Sequence, residues 1–406
     1  MEEWKKYKIG DLCSISSSKR IFAKEYQSSG VPFFRGKEII EKQKGESIST
    51  ELYISRSRYD EIKIKYGVPK EGDMLLTSVG TLGIPYIVKN EDFYFKDGNL
   101  TWFSDFKGLN SKFLYYWFLS PIAKNAIEAK AIGSTQKALT IDALSKFEIN
   151  IPDIDTQNRI ASVLSFIDDK IELNRRINDN LEQQAQALFK SWFVDFEPFK
   201  KGMFIDSELG MIPEGWQVEE LGNITNSITE KVGKRTDIKV LSPVNTGDLL
   251  LSEEYFTKQV YSKNLAKYIM VAPNDFAYNP TRINIGSIGM NTFDFSGCVS
   301  PVYVVFRCEK EYYHFFNIFK ATKNFKEEVN TRAIGGVRQT LSYKDFSLIK
   351  IVYPPKEAVE RFNKIYSHIM TLIKKNVLEN KRLHQTRDTL LPKLMSGELK
   401  INDINN

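Results

Sequence analysis

Pro152-Asp153-Ile154-Asp155-Thr156-Gln157-Asn158-Arg159-Ile160 opens the stretch that decides the fold. From Ile160 onward, apolar residues recur at Leu164, Ile167, Ile171, Leu181, Ala185 and Leu188. Steps of three, four and their multiples are the period of one helix laid along another. Two polar residues, Asn174 and Asn178, interrupt the seam. Asp155 or Thr156 can cap the first turn by accepting backbone N–H bonds. No Gly or Pro intervenes before Pro198. A helix over residues 156–193 would run roughly 55 Å, far beyond the three or four turns usual in globular proteins. Such a stripe needs a partner.

The partner is a second copy. After Pro354-Pro355, apolar residues fall at Phe362, Tyr366, Ile369, Ile373, Leu383 and Leu390, with Asn376 and Asn380 between them. Each lies 202 positions beyond a residue of the first seam. The same offset joins Gly133-Ser134-Thr135-Gln136-Lys137-Ala138-Leu139 to Gly335-Gly336-Val337-Arg338-Gln339-Thr340-Leu341, and Gly72-Asp73 to Asn274-Asp275. An opening motif, Trp4-Lys5-Lys6-Tyr7-Lys8-Ile9-Gly10-Asp11-Leu12, returns as Trp216-Gln217-Val218-Glu219-Glu220-Leu221-Gly222-Asn223-Ile224. The chain is therefore a duplication of a globular unit followed by a long helix.

Connectivity sets the helices antiparallel, with one globular unit expected at each end. If Asn174 faces Asn380 and Asn178 faces Asn376, each pair of numbers sums to 554. That sum also sets Ile160 against Leu394, Leu164 against Leu390, Ile171 against Leu383, Leu181 against Ile373 and Leu188 against Tyr366. Only Ile167 opposite Arg387 is a poor match. A buried polar pair commonly fixes register at some cost in stability.

The expected class is α+β: two globular units, residues 1–152 and 200–354, with long helices over 153–199 and 355–400 and a tail at 401–406. The helices form an antiparallel coiled coil with pseudo-twofold symmetry. Strands are expected over residues 73–78, 84–88, 101–103, 276–278 and 299–307, with helices over 109–131 and 312–330. Strands over 144–151 and 346–353 feed the long helices, and 200–215 reads as a linker rich in Gly and Pro.

Composition excludes several classes. With 42% hydrophobic and 13% aromatic residues the chain is not disordered, and 406 residues exceed one compact core. Cys13, Cys298 and Cys308 have no paired spacing, which suits a reducing cytosol. The net charge of +6 permits a polyanionic partner without demanding one. No apolar run is long enough to span a membrane. Three histidines (His314, His368, His384) without ligand spacing predict no metal site. There is no phosphate loop for ATP, and Gly80-Thr81-Leu82-Gly83 reads as a hairpin turn. Asn279-Pro280-Thr281 approaches the Asn-Pro-Pro-Tyr signature of adenine methyltransferases but lacks its second Pro and its aromatic. Asp153 and Asp155 suit helix capping better than a nuclease dyad, and Asp168-Asp169 reads as solvated surface. No enzyme is expected.

Binding chemistry is better represented. Arg, Asn, Gln, Ser and Thr read base edges, while Lys holds phosphates. The first unit offers Lys19, Arg20, Arg35, Lys37, Thr77, Ser78, Ser134, Gln136 and Lys137. The second offers Arg235, Asn279, Thr281, Arg282, Asn284, Arg332, Arg338, Gln339 and Thr340. Any one loop alone could be plain surface; matching clusters in both copies argue for double-stranded DNA.

The two Trp-led openings, the Gly72-Asp73 and Asn274-Asp275 turns, the loops before Leu139 and Leu341 and the Pro-headed helices occur in a fixed, duplicated order. So arranged, the whole chain resembles the DNA-specificity subunit of type I restriction–modification systems. One departure is that Arg338-Gln339 inverts the order of Gln136-Lys137. The resemblance implies a non-catalytic, cytoplasmic subunit that reads a bipartite DNA target and holds no cofactor. It also implies a helical ruler that docks two methyltransferase subunits, which carry S-adenosylmethionine, together with restriction subunits. The competing expectation is a coiled-coil scaffold that binds only proteins.

Overall fold

A computed structural model describes residues 4–49, 51–133, 137–256, 258–333 and 340–401. The chain forms two compact units, Met1–Arg176 with Lys375–Asn406, and Ile177–Lys374. The long helices, Ile154–Phe193 and Lys356–Ser396, each contribute one half to each unit. Asp153 caps the first of them, its carboxylate accepting from the Thr156 N–H at 2.8 Å and hydroxyl at 3.0 Å. The cap thus falls two residues before Asp155 and three before Thr156.

In the first unit, strand Lys5–Lys8 pairs antiparallel with Glu148–Ile151, and in the second Gln217–Glu220 pairs in the same way with Lys350–Tyr353. Each opening strand runs into a one-turn helix, Ile9–Leu12 or Leu221–Ile224. The Ile9 N–H donates to Phe147 O and the Leu221 N–H to Ile349 O, both at 2.9 Å. The repeated glycine now has a reason. A Cβ on Gly10 would lie 2.8 Å from the Ser145 Cβ, and one on Gly222 would lie 2.9 Å from the Ser347 Cβ.

A four-stranded antiparallel sheet follows in each unit. Its order is Ser14–Ser16, Leu100–Ser104, Met74–Thr77, Pro85–Ile87 in the first, and Thr225–Ile228, Val304–Cys308, Phe276–Tyr278, Ile288–Met290 in the second. Gly72 (φ 88°) and Asn274 (φ 68°) enter the equivalent central strand in the left-handed region, which explains why Gly and Asn exchange there. The aspartate that follows locks the turn. Asp73 accepts from Lys70 N–H and Trp102 Nε1, and Asp275 from Ala272 N–H and both arms of Arg307.

Beyond this shared frame the units diverge. The first adds a three-stranded sheet, Tyr53–Ile54, Val31–Phe34 and Tyr94–Phe95, with helices Gly36–Lys44 and Arg56–Tyr66. The second instead carries two-stranded ribbons, Leu241–Pro243 with Leu249–Leu251 and Ile269–Val271 with Gly297–Val299.

Several expected elements are subdivided. Residues 109–131 form two helices, Ser111–Leu119 and Pro121–Lys130, because Ser120 and Pro121 make a fresh helix start. Residues 312–330 divide likewise into Tyr313–Phe319 and Lys323–Arg332, with Thr322 as the new cap. The expected strands at 144–151 and 346–353 are shorter, each preceded by a short helix capped by Thr140 or Ser342. Residues 299–307 split between two strands. Residues 200–215 are not free linker: Phe204–Ile205 pairs with Ile212–Pro213, and Ile212 is buried in the second core.

The helix pair is antiparallel within each unit. In the first, Ile160 and Leu164 share a core with Leu390 and Leu394. Asn174 Nδ2 donates to Asn380 Oδ1 and to Glu379 Oε2, both at 2.9 Å, and Asn380 Nδ2 donates to Ile171 O. The Asn174–Asn380 register therefore holds. It has a cost, since Asn174 Oδ1 is buried without a partner among the described residues. In the second unit, Asn178 Nδ2 reaches Ile373 O, and Leu181 and Leu188 pack with Ile373 and Tyr366 in one core. Trp192 meets Phe362 there, their ring centroids 6.2 Å apart, and these two numbers also sum to 554.

Arg387, the poor match in the seam, is resolved by Asp168. The guanidinium donates to Asp168 Oδ1 at 2.9 Å, and the Tyr116 hydroxyl donates to Asp168 Oδ2 at 2.8 Å. Asp168 is thus an anchor between helix pair and globular core, not solvated surface.

The three cysteines are buried, and burial pushes their thiols up, Cys13 and Cys298 to about 12. His314 is half-buried against Tyr366, its Nδ1 buried and unpartnered among the described residues. Burial, reinforced by the Lys374 cation, pushes its pKa from 6.5 down to about 4. Between these values the unfolded chain binds a proton that the folded chain refuses. His314 therefore subtracts stability progressively as pH falls from about 6.5 to about 4. His314→Phe is expected to flatten that part of the melting-temperature profile relative to the parent. Parallel profiles across pH 4–7 would show the imidazole to be solvated.

Candidate nucleic-acid interface

The hairpin after each central strand positions the main loops. In the first unit the Leu139 N–H donates to Ser78 O and the Gly80 N–H to Lys137 O. In the second, the Leu341 N–H donates to Pro280 O, the same stitch moved by 202 positions. Each repeat thus ties its post-strand turn to the segment ahead of its short capped helix. Lys137 and Thr340 emerge exposed beside these turns. Ser134, Gln136, Arg338 and Gln339 lie outside the described residues.

Thr77 and Ser78 do not belong to a DNA surface. Both are buried, at 1% and 2% exposure. The Thr77 hydroxyl accepts from the Ile84 N–H, and the Ser78 hydroxyl bonds to Thr101. A Thr-Ser pair ending a strand serves the hairpin here. Arg35 is also committed inward. Its guanidinium grips the fully buried Glu38 with contacts of 2.6 and 3.2 Å. Burial pushes the Glu38 carboxyl up, but the hydrogen bonds from Arg35 outweigh it and hold the carboxyl below its ordinary value. Arg332 is half-buried and pairs with Glu328 at 3.1 Å.

Lys19, Arg20, Lys37 and Arg235 are exposed. Arg20 pairs with Asp97 at 2.8 Å, the Lys19 ammonium sits 5.1 Å from the Tyr66 ring centre, and Lys37 lies near Glu41. Arg235 is held by Glu230 and Lys231 O. Surface pairs of this kind contribute little and exchange readily for phosphate.

The Asn279–Asn284 turn is the most built of these sites. Asn279 Oδ1 accepts from the Thr281 N–H at 3.0 Å and its hydroxyl at 2.9 Å. The Arg282 N–H donates to Asn279 O, and Arg282 O accepts from the Ser287 N–H. Arg282 is exposed and makes no ion pair among the described residues. Asn284 is half-buried in the turn Ile283–Ile285. The turn borders a cleft of about 500 Å³ whose walls include Phe256, Tyr261, Tyr268 and Tyr303. Phe256, Tyr261 and Tyr268 escaped the sequence reading because they fall in the part of the second unit that has no counterpart in the first.

The family model described as the type I restriction modification DNA specificity domain matches residues 1–183. Over nearly its whole length the chain is also similar to curated specificity subunits. It is 28% identical to the type I restriction enzyme MjaIX specificity subunit of Methanocaldococcus jannaschii, over 99% of this chain and 95% of that one. On these matches the chain resembles type I restriction enzyme specificity subunits. The HindI specificity subunit of Haemophilus influenzae is 25% identical over 98% of this chain and all of its own. A crystal structure of a type I restriction–modification S subunit from M. genitalium has the same fold, with a TM-score of 0.60 at 17% identity over 97% of this chain and 96% of that one. The chain covers nearly the whole length of both relatives. Among the described residues no helix is long and apolar enough to cross a membrane.

Proposed function

We propose that this chain is the sequence-reading subunit of a cytoplasmic type I restriction–modification assembly. Residues 1–152 and 200–354 would each read half of a bipartite duplex target, and the helix pair would set the spacing between the halves. Methyl transfer from S-adenosylmethionine and DNA cleavage would belong to methyltransferase and restriction subunits, with no catalytic residue here. The observation that carries this reading is a duplicated frame with divergent additions. The paired opening strands, four-stranded sheet and stitched loops recur, while the three-stranded sheet of one unit is replaced by ribbons in the other. Two readers on one frame suit two different half-sites.

Apolar residues on the helices support a docking face for methyltransferase subunits. Phe166 and Leu173 in the first unit are exposed, as are Ile365 and Leu372 in the second. Each pair is seven residues apart, so each lies on one helical face outside the seam.

The first test is binding of the full chain to random duplex across a salt series. Affinity is expected to fall steeply between about 50 and 200 mM salt as phosphate contacts release counterions. Flat, salt-independent binding would favour the protein-only scaffold. Mapping methylated adenines in cells that express the chain with a methyltransferase partner would then give the target.

A further inference from the structure

Asn279-Pro280-Thr281 resembled part of a base-gripping motif but lacked its aromatic partner in sequence. The fold supplies aromatics from elsewhere. Tyr303, Tyr261, Tyr268 and Phe256 line the cleft that Asn279, Thr281 and Arg282 border. The Asn279 side chain is held through its Oδ1 by the Thr281 N–H and hydroxyl, and it borders the cleft beside Tyr303. Its amide is therefore fixed before any ligand arrives. Tyr261 and Tyr303 are half-exposed, and Phe256 is 36% exposed. A cleft of about 500 Å³ is within the range of sites that enclose a small ligand.

Base edges inside a duplex lie on the floor of a groove and are reached by protruding helices, ribbons or long side chains. A hollow cannot reach them. A hollow with aromatic walls, a fixed amide and an arginine at its mouth meets a base only after that base has left the stack. Aromatic faces then replace the lost stacking, and Arg282 can hold the displaced phosphate or a base edge.

We propose that this cleft receives one nucleobase turned out of the DNA read by the second unit, holding it by stacking and hydrogen bonds without chemical change. The proposal rests on the DNA-reading function above and adds a single-base site to it. No co-reactant is needed, since no bond is made or broken.

The test uses the full chain alone, so that no methyltransferase subunit can extrude a base itself. Duplexes carry the mapped target, with each base pair replaced in turn by a mismatch. Extrusion from a mismatch is cheaper, so at one position of the second half-site binding is expected to tighten about tenfold. Arg282→Ala and Tyr261→Ala are each expected to abolish that gain, while circular dichroism reports an unchanged fold. Arg282 is exposed, so its variant stands if the tyrosine variant misfolds. The proposal is overturned if no mismatch tightens binding, or if the gain survives Arg282→Ala. It is equally overturned if deoxynucleoside monophosphates quench the cleft tyrosines without any mismatch gain, which would assign the cleft to free nucleotides. Failure of the parent chain to prefer its target over random duplex would instead strike the DNA-reading function itself.

Discussion

Removing residues 171–177 together with residues 377–383 is expected to shorten the tolerated spacer between the two half-sites by about three base pairs. The segments lie opposite each other in the register fixed by Asn174 and Asn380. Their joint loss takes out one heptad, or about 10 Å of helix, and about 3.4 Å corresponds to one base pair along a strand. The remaining pairs, among them Ile160 with Leu394 and Trp192 with Phe362, keep their partners. Deleting either segment alone shifts every pair on one side by seven residues and is expected to abolish folding. The measurement is affinity for a series of targets whose spacers differ by single base pairs. A shortened chain that still prefers the parental spacer would refute the ruler.

The second large effect concerns Asp168. Its carboxylate takes a charge-assisted bond from Arg387 at 2.9 Å and another from the Tyr116 hydroxyl at 2.8 Å. Arg387 and Asp168 are only 21% and 26% exposed, so removing Asp168 leaves Arg387 poorly solvated, with Asp388 at 2.9 Å as its remaining carboxylate. Asp168→Ala is expected to destabilise the first unit by about 3 kcal/mol, at the low end for broken buried pairs because some solvent remains. Replacing both residues by leucine should recover most of that loss, since Ile167 and its neighbours already provide an apolar setting. Thermal melts of the single and double variants decide the matter. A loss below about 1 kcal/mol for Asp168→Ala would class the pair with ordinary surface contacts.

How much of this could be read from the sequence depended on repetition. The seam from Ile160 to Leu188 was legible because its period persists over about eight turns and recurs 202 residues later with the same asparagine interruptions. Two copies also marked Gly10 and Gly222, but the approach of Ser145 and Ser347 that requires them emerged only from the fold. Where a feature occurs once, the signal vanishes. Thr77 and Ser78 have the composition of a base-reading pair, and only their burial beneath the hairpin reveals otherwise. Asp168 resembled solvated charge because its partner Arg387 lies 219 residues away. The aromatic cleft draws Phe256, Tyr261 and Tyr268 from irregular chain, where neither helical nor strand periodicity operates.

The first unit has a core that is not contiguous in the chain. Ile160, Leu164, Phe113 and Trp117 pack in one cluster with Leu391, Leu394 and Met395. A ribosome delivers the first group long before the last. Until residue 395 has emerged, the first 176 residues carry an uncovered apolar stripe, while the contiguous second unit, Ile177–Lys374, has its whole core available. Folding order should therefore invert the order of synthesis, with the second unit consolidating first. A nonsense mutation late in the message would spare the second reader and damage the first, the opposite of what truncation does to most tandem proteins.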